Sequence, residues 1–363
     1  MANSGTPLPA ASSGDPRSGP PGATGERTLR PEFTGSAGEY FRIWIVNLFF
    51  TLVTLGIYSA WAKVRKKRYF YGSTRLDGDS FDYFGSPRVI LKGRLIAFIV
   101  FVTYAFASEL YPPATFVFWG VAILLLPWLI VRAFMFNARN SAYRGLRFDF
   151  SGTTGRAARI YIGMLIVAVL SLGLAYPWFV ARQKAFVVSH HALGTTGFGC
   201  RISAGDYFAI YLIAGLILTA VVVPISIGMG FAVSISWLPE SVSWLGFVVP
   251  LVLMYAAYAM VYAYIQARTA NLMWNGSYGP GIRFSSSLGA WKLGRLYIGN
   301  AVAVAATAGF LIPWAVIRTL RYRLENLAVI IERDVVFEAS PALERVGATG
   351  QELGDIFNLD LGI

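Results

Sequence analysis

The chain has 363 residues, of which 56% are apolar and 14% charged, and its formal net charge is +12. A typical soluble domain contains about 25% charged residues, so this composition excludes an ordinary soluble protein and predicts a polytopic membrane protein. The basic excess would indicate nucleic-acid binding in a soluble chain. In a membrane protein it is typical of cytoplasmic loops, and no nucleic-acid partner is expected.

The chain begins with a polar segment, residues 1–38, that is rich in Pro, Gly, Ser and Ala. It lacks a continuous apolar run, so it is predicted to be a disordered cytoplasmic tail rather than a signal peptide. Residues 340–363 are predicted to form a second, loosely ordered tail.

One motif recurs three times with the same spacing between the tails. An arginine is followed nineteen residues later by a tryptophan and four residues after that by a second arginine. The copies are Arg42–Trp61–Arg65, Arg159–Trp178–Arg182 and Arg295–Trp314–Arg318. Each apolar stretch before the tryptophan is interrupted at one offset by a glycine: Gly56, Gly173 or Gly309. Such self-similarity predicts a repeated membrane element.

Seven apolar segments follow one another along the chain. They are 43–60, 95–110, 114–131, 160–177, 207–234, 244–265 and 296–313. Three of them carry the motif. The other four form two pairs joined by short connections, and each is predicted to cross the bilayer as a helix.

The distribution of Lys and Arg bears on topology because cytoplasmic loops are enriched in both. Nine lie in 63–94, six in 132–159, three in 182–206 and four in 268–295, and the two short connections contain none. If all seven segments crossed, several of these basic residues would lie on the outer face. If only the four segments without the motif cross, all 22 lie in the cytoplasm.

The three motif segments are therefore predicted to be re-entrant or interfacial helical hairpins, with both chain termini in the cytoplasm. The three glycines would reverse the chain, because glycine adopts backbone angles that other residues avoid. The three tryptophans would anchor the hairpins at the membrane interface. The alternative is an ordinary kinked span, since residues 43–62 are also long enough to cross.

Short strand-like phrases flank the membrane segments. In STRLDGDSFDYFGS (73–86), alternating apolar residues around Asp77-Gly78 predict a β-hairpin. GLRFDFSG (145–152) matches GIRFSSS (281–287), and further phrases follow the second and third motif copies. We predict that these strands form a small cytoplasmic β-layer.

The predicted fold is thus an all-α integral membrane protein with internal repeats, re-entrant or interfacial hairpins, two transmembrane helical hairpins and short cytoplasmic strands. Repeat 1 covers residues 39–149 and repeat 2 residues 150–280. Residues 281–339 form a partial repeat 3 without a transmembrane pair.

The segment EYFRIWIVNLFFTLVTLGIYSAWAKVRKKRYFYGSTRLDGDSFDYFGSP (39–87) resembles the signature of the YjgN-like bacterial inner-membrane family, a domain of unknown function. The resemblance extends over about residues 31–340. It implies a multi-pass protein of the bacterial cytoplasmic membrane. It implies no activity, because the family has no established catalytic or binding residues.

The six motif arginines are the candidate ligand-binding residues. If the repeats gather them around one cytoplasm-facing vestibule, their guanidinium groups would favour an anionic solute or a phosphate headgroup. The alternative is that each arginine snorkels separately to the interface. Asn47 and Asn300, at one offset in the first and third copies, are predicted to form hydrogen bonds between helices rather than to contact a substrate.

No pattern indicates an enzyme, a cofactor or a metal. His190 and His191 lack the spacing of a zinc site, and the Asp77 region reads as a turn rather than as a calcium loop. Cys200 is the only cysteine, which excludes an intramolecular disulfide and a cysteine-cluster metal site.

Two functions are compatible with these features. One is a transporter or channel for a small anionic or amphipathic solute, because repeats with broken apolar segments are typical of transporters. The alternative is a non-catalytic membrane organiser that binds anionic lipid headgroups or a protein partner through its basic cytoplasmic face.

Overall fold

The computed structural model describes residues 25–234 and 244–332, and the side chains of 232–234 lie outside that description. Most of the described chain is helical. The helices are α1 (Ala37–Val53), α2 (Ser59–Ser73), α3 (Pro87–Leu110), α4 (Ala114–Arg139), α5 (Thr154–Ala158), a π-helical stretch (Arg159–Met164), α6 (Leu165–Leu170), α7 (Tyr176–Ser189), α8 (Ala204–Ser234), α9 (Leu245–Gly276), α10 (Ala290–Ala306) and α11 (Ile312–Glu325).

Four of these helices, α3, α4, α8 and α9, are long and apolar enough to cross a membrane. They contain the four segments that were predicted to cross, so the prediction of an α-helical membrane protein is confirmed. Pro87 occupies the first turn of α3, where a missing backbone N–H does no harm. In the most apolar window of each helix at most 17% of the residues are buried, as expected of helices that face lipid.

The three motif segments each fold into a helix–turn–helix, and none of their helices is among the four candidate spans. Hairpin 1 is α1–α2, hairpin 2 runs from α5 to α7, and hairpin 3 is α10–α11. In each, the first arm begins five residues before the first motif arginine and the returning arm begins seventeen residues after it. Pro177 and Pro313 lie in the first turn of their returning arms, where proline is favoured.

The strands lie between the helices. They are β1 (Glu26–Leu29), β2 (Glu32–Phe33), β3 (Thr74–Leu76), β4 (Asp79–Tyr83), β5 (Ser141–Tyr143), β6 (Leu146–Phe150), β7 (His191–Leu193), β8 (Thr196–Gly197), β9 (Gly199–Cys200), β10 (Ser277–Gly279), β11 (Ile282–Ser286) and β12 (Leu327–Glu332). The hairpin predicted at Asp77-Gly78 is confirmed, because β3 pairs with β4 and both turn residues have positive φ (53° and 85°).

The strands pair as two antiparallel sheets, in the orders β2-β3-β4-β5-β6-β7-β8 and β1-β12-β11-β10-β9. Two residues separate β1 from β2, and Phe198 alone separates β8 from β9, so the sheets join at both ends into a ring. One apolar cluster, which includes Leu76, Tyr143 and Ile282, draws its side chains from both sheets.

Part of the predicted disordered tail is ordered, and this corrects the boundary at residue 38. Residues 26–33 form β1 and β2, and Glu26–Leu29 pair with Val329–Glu332 of β12. The polar composition concealed this pairing, because the hydrogen bonds of a strand come from the backbone and not from its side chains. Residues 1–24 and the predicted tail 340–363 lie outside the described residues.

The helices also follow one another around a ring. Consecutive helices are in contact, and α11 at the end of the series packs against α1 at its start. The largest buried cluster lies between α4, hairpin 2 and α8, and contains Ile130, Phe134, Tyr161 and Tyr207. Hairpin 3 packs against α9 with close backbone approach, since a Cβ added at Gly294 would lie 2.3 Å from the Met260 sulfur. The fold therefore sets three hairpins beside four long helices, with the strand ring at the hairpin bases.

Candidate functional site

The tips of the three hairpins share one backbone geometry. Gly56, the equivalent of Gly173 and Gly309, donates its backbone N–H to Thr51 O at 2.7 Å, and Leu55 donates to Leu52 O at 3.1 Å. This bond pair is the Schellman ending of a helix, with Leu55 at the left-handed position that is usually a glycine. The φ angles are 48° and 92° in hairpin 1, 53° and 88° in hairpin 2, and 46° and 94° in hairpin 3.

A non-glycine residue therefore occupies the left-handed position of every tip. It is Leu55 in hairpin 1, Leu172 in hairpin 2 and Ala308 in hairpin 3. An L-residue in this conformation is strained by about 1–2 kcal/mol. Both leucines are also 94% exposed, so nothing within the described chain covers these strained apolar side chains.

Apolar exposure extends from the tips down the first arms of hairpins 1 and 2. In hairpin 1 the exposed side chains include Phe49, Leu52 and Val53, and in hairpin 2 they include Val169 and Leu170. A contiguous apolar patch of this kind is uncommon on soluble proteins and marks a membrane or partner contact.

The six motif arginines lie near the bases of the hairpins, and all six are exposed. Arg318 is held within its own hairpin, where Nη1 donates to Asn300 Oδ1 at 3.2 Å and the guanidinium carbon lies 5.0 Å from the Trp314 ring centroid. Arg295 lies over Trp291 in the same hairpin, at 5.8 Å. No described contact joins motif arginines of different hairpins, and their convergence on one vestibule stays a prediction.

The three motif tryptophans occupy different surroundings. Trp61 is half-buried and stacks on Tyr58, with ring centroids 6.2 Å apart. Trp178 is exposed, and Trp314 is half-buried beneath the Arg318 guanidinium. Their role as interfacial anchors stays a prediction, as does a hinge role for the three tip glycines.

The two asparagines join the arms of their hairpins, as predicted. Asn47 Nδ2 donates to Ala62 O at 3.5 Å, and Asn300 Nδ2 donates to Ala315 O at 3.2 Å. Both carbonyls lie fifteen residues beyond their asparagine. The contacts hold the two arms side by side, so both arginines of a hairpin lie at the same end of it.

Sequence reasoning missed a second set of basic side chains, which the structure partly buries. Lys67 Nζ donates to Asn137 Oδ1 at 3.0 Å, and Lys184 occupies the equivalent position of hairpin 2. Arg323 of hairpin 3 donates through Nη2 to the Tyr297 hydroxyl at 2.9 Å. Lys67 and Lys184 lie at the same offset from the first arginine of their motif, so the sequence alone could have identified them as equivalent. Only the packing shows which way these side chains point.

The residues weighed for catalysis or metal binding are engaged locally. His190 is bonded to Phe186 O through Nδ1 and to Arg156 through Nε2, at 2.7 and 2.8 Å. His191 Nδ1 is bonded to Val187 O, and burial lowers the pKa of that imidazole. Burial raises the pKa of the Cys200 thiol, so its reactive thiolate form is disfavoured. Across residues 25–234 and 244–332, no group of three His, Cys, Asp or Glu side chains could hold a metal ion.

An open cleft of about 610 Å³ lies along β1, β2 and β3. Its lining includes Arg30, Glu32, Arg75 and Asp77. Two basic and two acidic side chains offset one another there, so the cleft has no strong preference for a ligand of either charge.

Comparisons with known proteins bear on the family. Residues 28–356 match the family described as "Bacterial protein of unknown function (DUF898)". The chain is 29% identical over 141 residues to "Inner membrane protein YjgN" of Salmonella typhimurium (strain LT2), covering 39% of this chain and 36% of the relative. It is 24% identical over 152 residues to the protein of the same name from Escherichia coli (strain K12), covering 42% of this chain and 38% of the relative.

These alignments span less than two fifths of the length of the curated relatives. No solved structure matches the chain. The relatives are named inner membrane proteins, which agrees with the four apolar helices described above. Since the family match covers most of the sequence, this membrane protein belongs to the DUF898 family, as its resemblance to YjgN-like proteins indicated.

Proposed function

We propose that the protein binds anionic lipid headgroups through three repeated hairpins that enter the bilayer from its cytoplasmic face and return to it. One observation carries the proposal: each hairpin exposes apolar side chains toward its tip and arginines near its base. In water this apolar surface would cost about 25 cal/mol per Å². Within a bilayer the same surface is favourable, and arginines at the interface attract anionic lipids.

The lengths of the arms support re-entry rather than crossing. From Arg42 to Val53, at the end of α1, there are 12 residues, which span about 18 Å as a helix. The hydrocarbon core is about 30 Å thick, so such an arm would reach a little beyond its middle. The shortest of the four long helices has 24 residues, or about 36 Å, and is long enough to cross.

In this arrangement the strand ring and both termini lie in the cytoplasm. The loops beside the strands contain most of the Lys and Arg residues, which favours that side. The connection between α3 and α4 would lie on the opposite face. Each of the three repeats then presents arginines to the headgroups, and a pair of long helices follows the first two hairpins but not the third.

Labelling of single cysteines tests the orientation. In a Cys200→Ser background, we expect Arg75→Cys, Arg156→Cys and Lys292→Cys to react with an impermeant maleimide only from the cytoplasmic side. These residues are exposed beside hairpins 1, 2 and 3 respectively. Leu110→Cys, at the 85% exposed end of α3, is the control and should react only from the outer side. Hairpin 2 and the pair α8 and α9 lie between Arg156 and Lys292, so labelling of Arg156→Cys and Lys292→Cys from opposite sides would refute re-entry of hairpin 2.

Lipid retention tests the function itself. The full chain is placed in phosphatidylcholine nanodiscs containing 30% phosphatidylglycerol, and the bound lipid is measured by mass spectrometry. We expect Arg65→Ala with Arg182→Ala to weaken the preference for phosphatidylglycerol by about thirtyfold, since each interfacial arginine contributes about 1 kcal/mol. The expected loss should shrink at high salt, because exposed charges are screened.

The matched control removes the same charge from the strand ring. Arg147→Ala with Arg283→Ala alters two exposed arginines of β6 and β11, away from the hairpin bases. This double variant should retain phosphatidylglycerol like the unaltered protein. Equal retention in both double variants would refute headgroup binding by the motif arginines.

Transport of a small anionic solute is the second candidate. It is favoured by the continuous ring of helix contacts, which would surround a solute path, and by Lys67 and Lys184, which are half-buried within the hairpins. We expect a transporter to release entrapped anions from phosphatidylcholine vesicles at a rate that falls in Lys67→Met. Vesicles that retain phosphate, chloride and small carboxylates equally with and without the protein would count against this candidate.

A further inference from the structure

Gly299 lies in the interior of α10, one residue before Asn300, and a side chain of the returning arm packs against it. Glycine destabilises the interior of a helix relative to alanine, so a packing reason is expected for it there. A Cβ added at Gly299 would lie 3.5 Å from Nη1 of Arg318. The same nitrogen donates to Asn300 Oδ1 at 3.2 Å. The guanidinium group of Arg318 therefore lies beside the bare backbone of α10.

Hairpin 1 has a valine at the same position and leaves its arginine outside. Val46 corresponds to Gly299, because each lies four residues after the first motif arginine of its hairpin. Arg65, which corresponds to Arg318, is exposed. Asn47 Oδ1 is buried and has no hydrogen-bond partner among the described residues. The acceptor that holds the arginine in hairpin 3 is thus present in hairpin 1 but unused.

The backbone of hairpin 1 gives its arginine the same approach to the asparagine as in hairpin 3. Eighteen residues separate the asparagine from the second arginine in both hairpins, and both asparagines donate to a carbonyl fifteen residues later. The φ angles of the two tips are also nearly equal. Val46, however, adds two methyl groups to the Cβ, and one rotamer dominates for valine in a helix, so this side chain does not readily move aside.

Hairpin 2 separates the effect of the glycine from that of the amide. It has Gly163 at the corresponding position, followed by Met164 in place of the asparagine. A Cβ added at Gly163 would meet nothing within 4 Å among the described residues, and Arg182 is exposed. Space beside the first arm is therefore not enough to draw the arginine inward. Hairpin 3 combines the glycine with the amide, and hairpins 1 and 2 each have one of the two.

We propose that the residue before the asparagine position determines which motif arginines reach the lipid. Val46 keeps Arg65 at the surface of hairpin 1, available to an anionic headgroup, whereas Gly299 lets Arg318 bond within hairpin 3. Val46 is thus a positioning residue, because it acts on headgroups through Arg65. The effect on lipid rests on the proposed headgroup binding, but the position of Arg65 can be measured without anionic lipid.

Val46→Gly gives hairpin 1 the glycine and asparagine of hairpin 3, and we expect Arg65 then to donate to Asn47 Oδ1. Thermal unfolding of the full chain in phosphatidylcholine nanodiscs detects this bond. In the Val46→Gly background, Arg65→Ala and Asn47→Ala should each lower Tm by roughly 2 °C, and both together by no more than either alone. In the protein with Val46, the two substitutions should not be coupled.

Retention of phosphatidylglycerol in mixed nanodiscs measures the consequence for lipid. Val46→Gly keeps every charge but should lower the preference for phosphatidylglycerol by about fivefold, as the loss of one interfacial arginine would. Adding Asn47→Ala should restore the preference, because Arg65 then loses its acceptor within the hairpin. Damage to the fold would not be repaired by a second truncation.

Leu48→Gly is the matched control, since it also places a glycine in α1 and removes an exposed aliphatic side chain. It should neither couple Arg65 to Asn47 nor change the lipid preference. In hairpin 3, Gly299→Val should expel Arg318 and raise the preference for phosphatidylglycerol. Gly299→Ala should leave it unchanged, because a Cβ at 3.5 Å makes an ordinary contact.

The proposal is overturned if Val46→Gly produces no coupling between Arg65 and Asn47, or if Leu48→Gly produces the same coupling. Coupling together with an unchanged preference for phosphatidylglycerol would support the positioning of Arg65 by Val46 and refute headgroup binding by Arg65. The two proposals therefore fail separately.

Discussion

Hairpins 1 and 3 have the same backbone but different polar interiors. In hairpin 3, Asn300 Nδ2 donates to Ala315 O at 3.2 Å and to Thr319 Oγ1 at 3.0 Å, and its Oδ1 accepts from Arg318 at 3.2 Å. In hairpin 1, Asn47 forms one long bond of 3.5 Å to Ala62 O. Its buried Oδ1 has no hydrogen-bond partner among the described residues.

The difference lies in what the second motif arginine does. Arg318 turns inward to Asn300 and rests on Trp314, whereas Arg65 at the same offset is exposed without a described side-chain partner. Hairpin 2 has Met164 instead of the asparagine, so its Arg182 has no amide to bind. The three copies of the motif thus keep the same turn, but the second arginine forms a hydrogen bond within the hairpin in one copy and is exposed without such a bond in another.

The tips differ as well. Hairpin 1 ends in a bulky exposed Leu55, whereas hairpin 3 has Ala308 at that position and an alanine-rich approach. Large exposed apolar side chains near the third tip are limited to Phe310 and Ile312 among the described residues, with Val302 further down the arm. Hairpin 3 therefore offers less apolar surface to a bilayer than hairpin 1.

The largest expected effect comes from a charge at a tip. Aspartate tolerates the left-handed backbone better than leucine, so Leu55→Asp relieves local strain. If the tip lies within the hydrocarbon, the carboxylate should nevertheless destabilise the protein by about 3 kcal/mol. We expect a smaller loss for Ala308→Asp, because less apolar surface draws hairpin 3 into the bilayer. Denaturant unfolding in phosphatidylcholine bilayers measures both.

Leu55→Asn is the control for the tip, since it has the same shape and backbone preference as aspartate without the charge. It should fall between the leucine protein and Leu55→Asp. An aspartate variant as stable as the asparagine variant would mean that the tip lies in water. Equal losses at Leu55 and Ala308 would mean that the two hairpins insert to the same depth despite their different tips.

The second-largest expected effect is a difference in stability between variants of Asn300 and Asn47. Asn300→Ala removes three hydrogen bonds and should destabilise the protein by about 2 kcal/mol, at roughly 0.6 kcal/mol for each bond between membrane helices. Asn47→Ala removes one long bond together with an unsatisfied buried oxygen, so we expect a loss below about 0.5 kcal/mol. Thermal unfolding of both variants in the same detergent gives the comparison. Similar losses would show that Asn47 gains a partner in solution that the described contacts lack.

The sequence predicted the hairpins well because their determinants are local. A helix that ends with two residues at positive φ needs glycine within a few residues of its end, and Gly56 and its two equivalents mark that place. The four long helices were predictable for a similar reason, since length and apolar content suffice to identify a candidate span. The left-handed leucine before the glycine was not predicted, because leucine has no preference for that conformation.

Two features depend on partners distant in sequence. The strand Glu26–Leu29 pairs with β12 about 300 residues away, and its polar composition does not indicate which segment it pairs with. The packing of α11 against α1 likewise joins helices from opposite ends of the chain, and no local pattern predicts it. The motif spacing indicated the six exposed arginines as candidate binding residues, because a repeat can be recognised in a sequence whereas burial cannot.

The smallest expected effect is the difference between Arg65 and Arg318 in binding anionic lipid. Arg65→Ala should lower affinity for phosphatidylglycerol by about fivefold, or about 1 kcal/mol, because Arg65 is free to contact headgroups. Arg318→Ala should change it by less than about twofold, since Asn300 and Trp314 already hold that guanidinium group. Asn300→Ala should release Arg318 and raise lipid affinity while it lowers stability, a combination that simple damage to the fold would not produce. Retention of phosphatidylglycerol in nanodiscs measures all three variants, and equal losses in Arg65→Ala and Arg318→Ala would show that the bond to Asn300 does not restrain Arg318.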